Sequence, residues 1–374
     1  MKRKISDIIT TVLFCSFLGA MLIMFLVLPD QDFSEKEKRY LADFPEVTWE
    51  NISSGNFGEE VETYLADHIP GRDFFVGLAS YYDLYSGRQV TKDVYTAQGD
   101  RIVEAPVIWD EEIANKNMNA INRFAETAQQ KVDLMIVPSA GFCLEETVQG
   151  LKDPYTDTQI IRDIYAMAGE QVNGIDLIPA FTDVGDPGAL YYRTDHHWTS
   201  RGAYAAYKAY MELLEREYPA VEDFTVTSHG GFLGSTYSRS GLWLTESESV
   251  ELWDSGAQFT VTNGESDVPH SGVFYEERLR ELDKYTVFLD GNHSLVRIEN
   301  PAAAGKGKLL VIRDSYANCL GTFLANSYES VTLVDLRYYR SPVSELVASE
   351  GFTDILVCYS IGNFLTDANF PFLR

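Results

Sequence analysis

Four short apolar runs constrain this chain more than any other feature: VDLMIVP at residues 132–138, LLVI at 309–312, SVTLVDL at 330–336 and DILVCYS at 354–360. Each is too short for a self-sufficient helix. Each is apolar on consecutive residues rather than on every second one, the pattern of a strand covered on both faces. Between and around them lie stretches with helical spacing: around residues 111–129, around 157–171, YANCLGTFLANSY from Tyr316, and around 344–349. Strands alternating with helices of about ten to fifteen residues predict an α/β domain with a parallel sheet between helix layers. Ligands on such sheets bind beyond the carboxyl ends of the strands. IDLIPAF and LYYRTD, ahead of His196, read as further strand-like runs.

Residues 8–28, IITTVLFCSFLGAMLIMFLVL, carry no charge and follow Lys2, Arg3 and Lys4. As a helix rising about 1.5 Å per residue, this run spans the roughly 30 Å hydrocarbon core of a bilayer. It exceeds the roughly 7–15 residues of a signal-peptide core and no A-x-A site follows, so it reads as an uncleaved anchor. Basic residues before it and acidic ones after it place a short tip in the cytoplasm and the body outside. Residues 1–30 are then tip and anchor. Residues 31–105 form a linker and an N-terminal helical and hairpin segment, with a helix break at Pro70-Gly71 and a turn at Gln98-Gly99-Asp100. Residues 106–374 form the α/β domain, within which 222–307, richer in Gly, Ser, Thr and Asp, reads as hairpins and loops inserted over the sheet. A net charge of -26 excludes nucleic acid as a partner, because nothing offsets phosphate repulsion. Cys143, Cys319 and Cys358 sit among apolar neighbours with no C-x-x-C pair, so they read as core thiols rather than a disulfide framework or a zinc site.

Chemistry concentrates in two places. Asp195-His196-His197-Trp198 precedes a helix that Thr199 or Ser200 caps, with Tyr204, Tyr207, Met211 and Leu214 on one face until Pro219. A carboxylate beside an imidazole orients it by accepting Nδ1–H, so Asp195 and His197 fit the orienter and base of a Ser-His-Asp triad. The rival readings are a metal cluster, for which His68, His229, His270 and His293 give no spacing support, and a plain capped helix start. The matching nucleophile is Ser315, at the junction of LLVI and the helix that follows, where the helix dipole and free N–H groups stabilise an oxyanion. Asp314 and Ser315 are also ordinary N-cap residues.

RTDHHWTSRGAYAAY, LLVIRDSYAN followed by VDLRYY, and FSEKEKRYLADFP with ADHIPGRDFF together resemble the DHHW-motif proteins. Those in turn resemble alginate O-acetylation proteins of the AlgJ/AlgX type, which carry a permuted SGNH-hydrolase-like domain. The resemblance spans nearly the whole chain after the apolar run. It implies an SGNH-like three-layer fold, with His197 as base, Asp195 as orienter, His196 as the variable middle position and Ser315 as nucleophile. Arg313 stands where the SGNH block has glycine, which bears on the oxyanion loop. Asn363 in YSIGNF, Tyr316, Trp198 and Arg313 are the oxyanion or binding candidates. Asp335 and Arg337 read as an ion pair bracing the sheet, and Arg72 belongs to the pattern without an assignable role. Trp198, Trp243, Tyr338 and Tyr339 are of the type that stacks on sugars, or else are core. The activity implied is O-acetyl transfer to a cell-surface polysaccharide, with the acyl group brought by a membrane O-acyltransferase and no cofactor. A carbohydrate acetylesterase with the same triad and a non-catalytic glycan-binding or assembly subunit are the alternatives.

Overall fold

In the computed structural model, which describes residues 2–88, 93–264 and 266–374, the chain forms two units. One comprises Met1–Thr91 and Ser238–Leu244, the other Lys92–Tyr237 and Thr245–Arg374.

The smaller unit begins with helix α1 (Lys2–Val27), of which Ile5–Val27 is long and apolar enough to cross a membrane, with mean hydropathy 2.4. Helices α2 (Asn56–His68) and α3 (Arg72–Tyr85) follow. The break between them has a local cause: Ile69 precedes a proline and is extended, and Gly71 sits at φ 71°, where a side chain would be strained. Arg39 donates to both Asp67 oxygens at 2.8 and 2.5 Å and to Glu37 at 2.7 Å. Arg72 pairs with the same Glu37 and lies 3.6 Å from Asp67. This four-residue ion network gives Arg72 a role that sequence alone did not supply. It also explains why the segments FSEKEKRYLADFP and ADHIPGRDFF occur as a pair, since each contributes one acid and one base.

In the larger unit a hairpin of β1 (Val94–Ala97) and β2 (Arg101–Glu104) turns where expected. Helix α4 (Glu111–Ala128) starts on Asp110, whose carboxylate accepts from Ile113 N–H. Then come β3 (Val132–Val137), α5 (Asp157–Ala166), β4 (Val172–Ile175), α6 (Ser200–Leu213), β5 (Thr225–Phe232), β6 (Glu248–Asp254), β7 (Thr260–Asn263), β8 (Ser266–Ser271) and β9 (Leu295–Glu299). β10 (Lys308–Arg313), α7 (Tyr316–Leu324), β11 (Ser330–Val334), α8 (Val343–Glu350) and β12 (Asp354–Ser360) complete the fold.

Eight strands form one sheet in the order β8-β7-β9-β11-β10-β12-β3-β4. From β11 to β4 every pairing is parallel, and β9, β7 and β8 are added antiparallel at the other edge. The consecutive apolar residues of β10 divide between two cores: Leu309 and Val311 pack with Tyr207, Met211, Leu320 and Phe323 from α6 and α7. Leu310 and Ile312 pack with Ile121, Phe124, Ile164 and Val347 from α4, α5 and α8. Burying each such side chain contributes about 1.5–3 kcal/mol, which is what holds three layers together.

The expected parallel sheet is present from β11 to β4 and is extended at one edge by three antiparallel strands. Two expectations change. Residues 222–307 are not simply laid over the sheet, because β7, β8 and β9 extend it by main-chain pairing while β5 and β6 form a separate hairpin. IDLIPAF yields strand only through Ile175 before a helical turn at Ile178–Thr182, and LYYRTD makes a single bridge, Tyr191 to Trp198.

The hydrogen bonds from Arg39, against the opposing cost of burial, hold the Asp67 carboxyl down to about 2. Its stabilising contribution is therefore complete above the ordinary carboxylate range and is lost as pH falls through about 2. Thermal melting of Asp67→Asn should show a lower Tm near neutral pH than the parent, and a difference that shrinks between about pH 4 and 2.

Candidate active site

The residues from Tyr191 to Trp198 form a tight reversal, closed by Tyr192 N–H to His197 O at 3.2 Å and Thr199 N–H to Leu190 O at 2.9 Å. Thr199, not Ser200, caps α6 by accepting from Gly202 N–H. At the tip, Asp195 Oδ1 accepts from His197 N–H at 2.9 Å and lies 2.6 Å from His197 Nδ1. Asp195 Oδ2 accepts from Ser235 N–H at 2.7 Å. Burial alone would raise this carboxyl, but the positive charge of His197 and His196 and these hydrogen bonds hold it well below the usual carboxylate range. Asp195 is thus an ionised acceptor, which places the proton of a neutral His197 on Nδ1 and leaves Nε2 free to accept.

Nε2 meets its partner across 118 residues of sequence. Ser315 Oγ lies 2.7 Å away and donates to it. Ser315 stands at the N-cap of α7 yet makes no side-chain cap bond. Its neighbour does that work instead: Asp314 Oδ1 accepts from Tyr316 N–H at 3.0 Å, which releases the serine oxygen toward the imidazole. Asp314 Oδ2 accepts from Ser360 N–H, Ser360 Oγ–H and Asn363 Nδ2–H, each at 2.8 Å. One carboxylate therefore fastens the end of β10 to the end of β12.

The structure brings Asp195, His197, Ser315 and Tyr316 together and places the other candidates elsewhere. Tyr316 lies with its ring 5.0 Å from His197 and its hydroxyl on His196 O, but its N–H is taken by Asp314. Trp198 is wholly buried and donates through Nε1 to Tyr316 O at 3.0 Å, so it cannot stack on a sugar. Arg313 is not an oxyanion donor either, because its buried guanidinium turns to Asn292 Oδ1 at 2.8 Å and toward Asp335 at 3.6 Å. Asn363 directs its amide to Asp314 rather than to Ser315. Asp335 and Arg337 form the bidentate pair, at 2.9 and 2.6 Å. Trp243 donates to Asp73 O within the smaller unit, Tyr339 is half-buried, and Tyr338 is exposed. Cys319 and Cys358 are buried free thiols, and burial pushes the half-buried Cys143 up to about 12.

His196 is less idle than the motif implied. Its Nδ1 lies 2.5 Å from Ser235 Oγ and its ring centroid 3.8 Å from that of His197. Asp195, His196 and His197 are the one group among the described residues whose donor atoms converge, within 4.8 Å. Both Asp195 oxygens and both His197 nitrogens are spent on the bonds above, so the group is bonded to itself, to Ser235 and to Ser315.

Sequence reasoning missed several supports. Glu248 on β6 accepts from Arg193 N–H at 2.8 Å and from Thr194 N–H and Oγ–H at 2.7 and 2.5 Å, steadying the approach to Asp195. Gly234 touches Asp195 so closely that an added Cβ would lie 2.2 Å from the Asp195 Cβ. The Gly-Gly-Phe-Leu-Gly-Ser stretch was the available signal for this close approach.

The family model for "DHHW protein" matches residues 110–334. Among solved structures, a DHHW family protein from Eubacterium siraeum DSM 15702 is similar at 21% identity, covering 74% of this chain and 96% of that one, with TM-score 0.63. Bacillus cereus PatB1 with a sulfonyl adduct is similar at 19% identity over 75% of this chain and 99% of its own, TM-score 0.63. The O-acetyltransferase domain of Pseudomonas putida AlgJ, at 13% identity over 73% of this chain and 92% of that one, has a TM-score of 0.44. No curated protein matches. At these identities the first two likenesses establish a shared fold.

Gly234→Ala should displace the Asp195 carboxylate while leaving both cores intact. Its expected effect is a roughly 10²-fold slower reaction of Ser315 with an organic sulfonyl fluoride, followed by intact mass, together with a lower melting temperature, since the added Cβ would also lie 2.7 Å from the Asp195 Cα.

Proposed function

This chain belongs to the DHHW protein family, and from that premise we propose that it is a membrane-anchored, extracytoplasmic O-acyltransferase that moves an acetyl group onto a cell-surface polysaccharide. The observation that carries the reading is one hydrogen-bonded line: Asp195 Oδ1 at 2.6 Å from His197 Nδ1, and His197 Nε2 at 2.7 Å from Ser315 Oγ. Such a line activates an alcohol that is otherwise a weak nucleophile at neutral pH.

In the first half-reaction Ser315 Oγ attacks the acyl carbonyl as its proton passes to His197 Nε2. The bond from carbon to the donor oxygen breaks, and His197 returns the proton to that leaving oxygen. In the second half a sugar hydroxyl gives its proton to His197 and attacks the acyl carbon, and Ser315 leaves with the proton restored. Asp195, already ionised, stabilises the imidazolium in both halves. The Ser315 N–H, at the start of α7, would supply a main-chain donor for the oxyanion. Ser315 and His197 are only 9% and 7% exposed, which screens an acyl-enzyme from bulk solvent whichever hydroxyl accepts the acyl group. The apolar helix Ile5–Val27 and the basic residues before it support an anchor with the body outside, where a membrane O-acyltransferase would present the acyl group.

Incubated with an activated acetyl ester, the protein should acquire an acetyl adduct on Ser315 detectable by intact mass. Ser315→Ala should show none, and ester turnover should fall about 10³-fold or more in Ser315→Ala and His197→Ala. A parent protein that never acylates sinks the reading.

A further inference from the structure

A histidine ring turns readily about its Cβ–Cγ bond, because that torsion has broad minima. Two hydrogen bonds at its edges hold it only while both persist, and acylation of Ser315 removes the hydroxyl proton that makes one of them. Something else must keep Nε2 aimed while the acceptor arrives.

We propose that Tyr285 is the positioning residue that does this, by lying flat on the His197 imidazole and fixing the plane in which it serves Asp195 and Ser315. This rests on the reading of His197 as the general base. The two ring centroids are 3.8 Å apart with planes 8° from parallel. His196 lies at the same 3.8 Å, tilted 36°, and two rings cannot share one face at that separation, so the imidazole is sandwiched. Tyr285 is itself immobile: it is 3% exposed, wedged edge-on against Phe288 at 5.2 Å and Tyr192 at 6.3 Å, with its hydroxyl 3.4 Å from Tyr316 O. Its phenol is pushed well above its ordinary range by burial, so the ring presents a neutral, electron-rich face to the imidazolium formed at each proton transfer.

The segment that carries Tyr285 also grips the other half of the site. Asn292 Oδ1 accepts from Arg313 Nη1 at 2.8 Å and from Asn318 Nδ2 at 3.0 Å, on the strand and helix that flank Ser315. Between the two, Leu289, Asp290 and Gly291 are left-handed at φ 57°, 64° and 81°, a conformation that a leucine adopts only when its surroundings impose it. Residues 285–292 are a strut between base and nucleophile, which gives chemical meaning to a stretch that the sequence presented as loop.

The test uses the full chain in detergent micelles and reads the downfield proton resonance of His197 Nδ1–H, assigned by its absence from His197→Gln. Tyr285→Phe, which keeps the ring, should retain the resonance and the parent rate of Ser315 labelling by a sulfonyl fluoride. Tyr285→Leu should lose the resonance to exchange with water and label about 10–100-fold more slowly. Should Leu not fold, Tyr285→Met carries the same comparison, folding being judged by the melting curve. A leucine or methionine variant that keeps both signal and labelling rate overturns the proposal, as does a parent with no such resonance. A parent that shows the resonance, loses it on Tyr285→Leu and yet never takes an acetyl group on Ser315 supports the positioning role and removes the acyl-transfer reading alone.

Discussion

The 2.7 Å hydrogen bond between Ser315 and His197 is the contact on which the larger unit's polar braces converge. It joins a turn before α6 to the end of β10, and neither segment could hold its partner in place alone. Trp198 rivets them by burying its indole and donating to Tyr316 O. Asp314 ties the Ser315 turn to β12, Glu248 ties the Asp195 turn to β6, and the two braces meet at the one bond.

Burial raises two acids in this unit, with opposite net outcomes. Asp157 is fully buried and is pushed up to about 6, because the cost of desolvation outweighs its hydrogen bonds with Ser139. Asp195 is buried as deeply, yet lies well below the carboxylate range, because two histidines and two main-chain N–H groups face it. The difference is the charge and number of donors. It leaves Asp195 the ionised acceptor that fixes the tautomer of a neutral His197.

How much was legible in advance follows from how local each signal is. β10, β11, β12 and β3 were visible because a strand buried on both faces is apolar at every residue. β7 and β9, reading TVTN and LVRIE, were missed as sheet members because an edge region alternates and is short, so its pattern matches a surface hairpin equally well. Asp195 and His197 were legible since both lie on one turn. Ser315 was legible only as a strand-to-helix serine, indistinguishable by itself from an ordinary cap. Arg313 and Trp198 were placed at the site by proximity in sequence and Asn363 by its place after the last strand of an SGNH-like layout, and the fold turned each to a different partner. Arg72 had a place in a pattern and no role until Glu37 and Asp67 stood beside it.

The sequence by itself determined what short-range physics can specify: a charge-free apolar run at residues 8–28 long enough for a bilayer, strands buried on both faces, the caps that start the helices, and an acid two residues from a histidine. Tertiary structure alone decided which serine meets that histidine, which aromatic ring covers it, and which carboxylate releases the serine from capping its own helix. The reason is that these contacts join positions some ninety to one hundred and twenty residues apart, or neighbours whose direction depends on them, and composition and periodicity carry no record of which distant side chains close on one another when the sheet assembles.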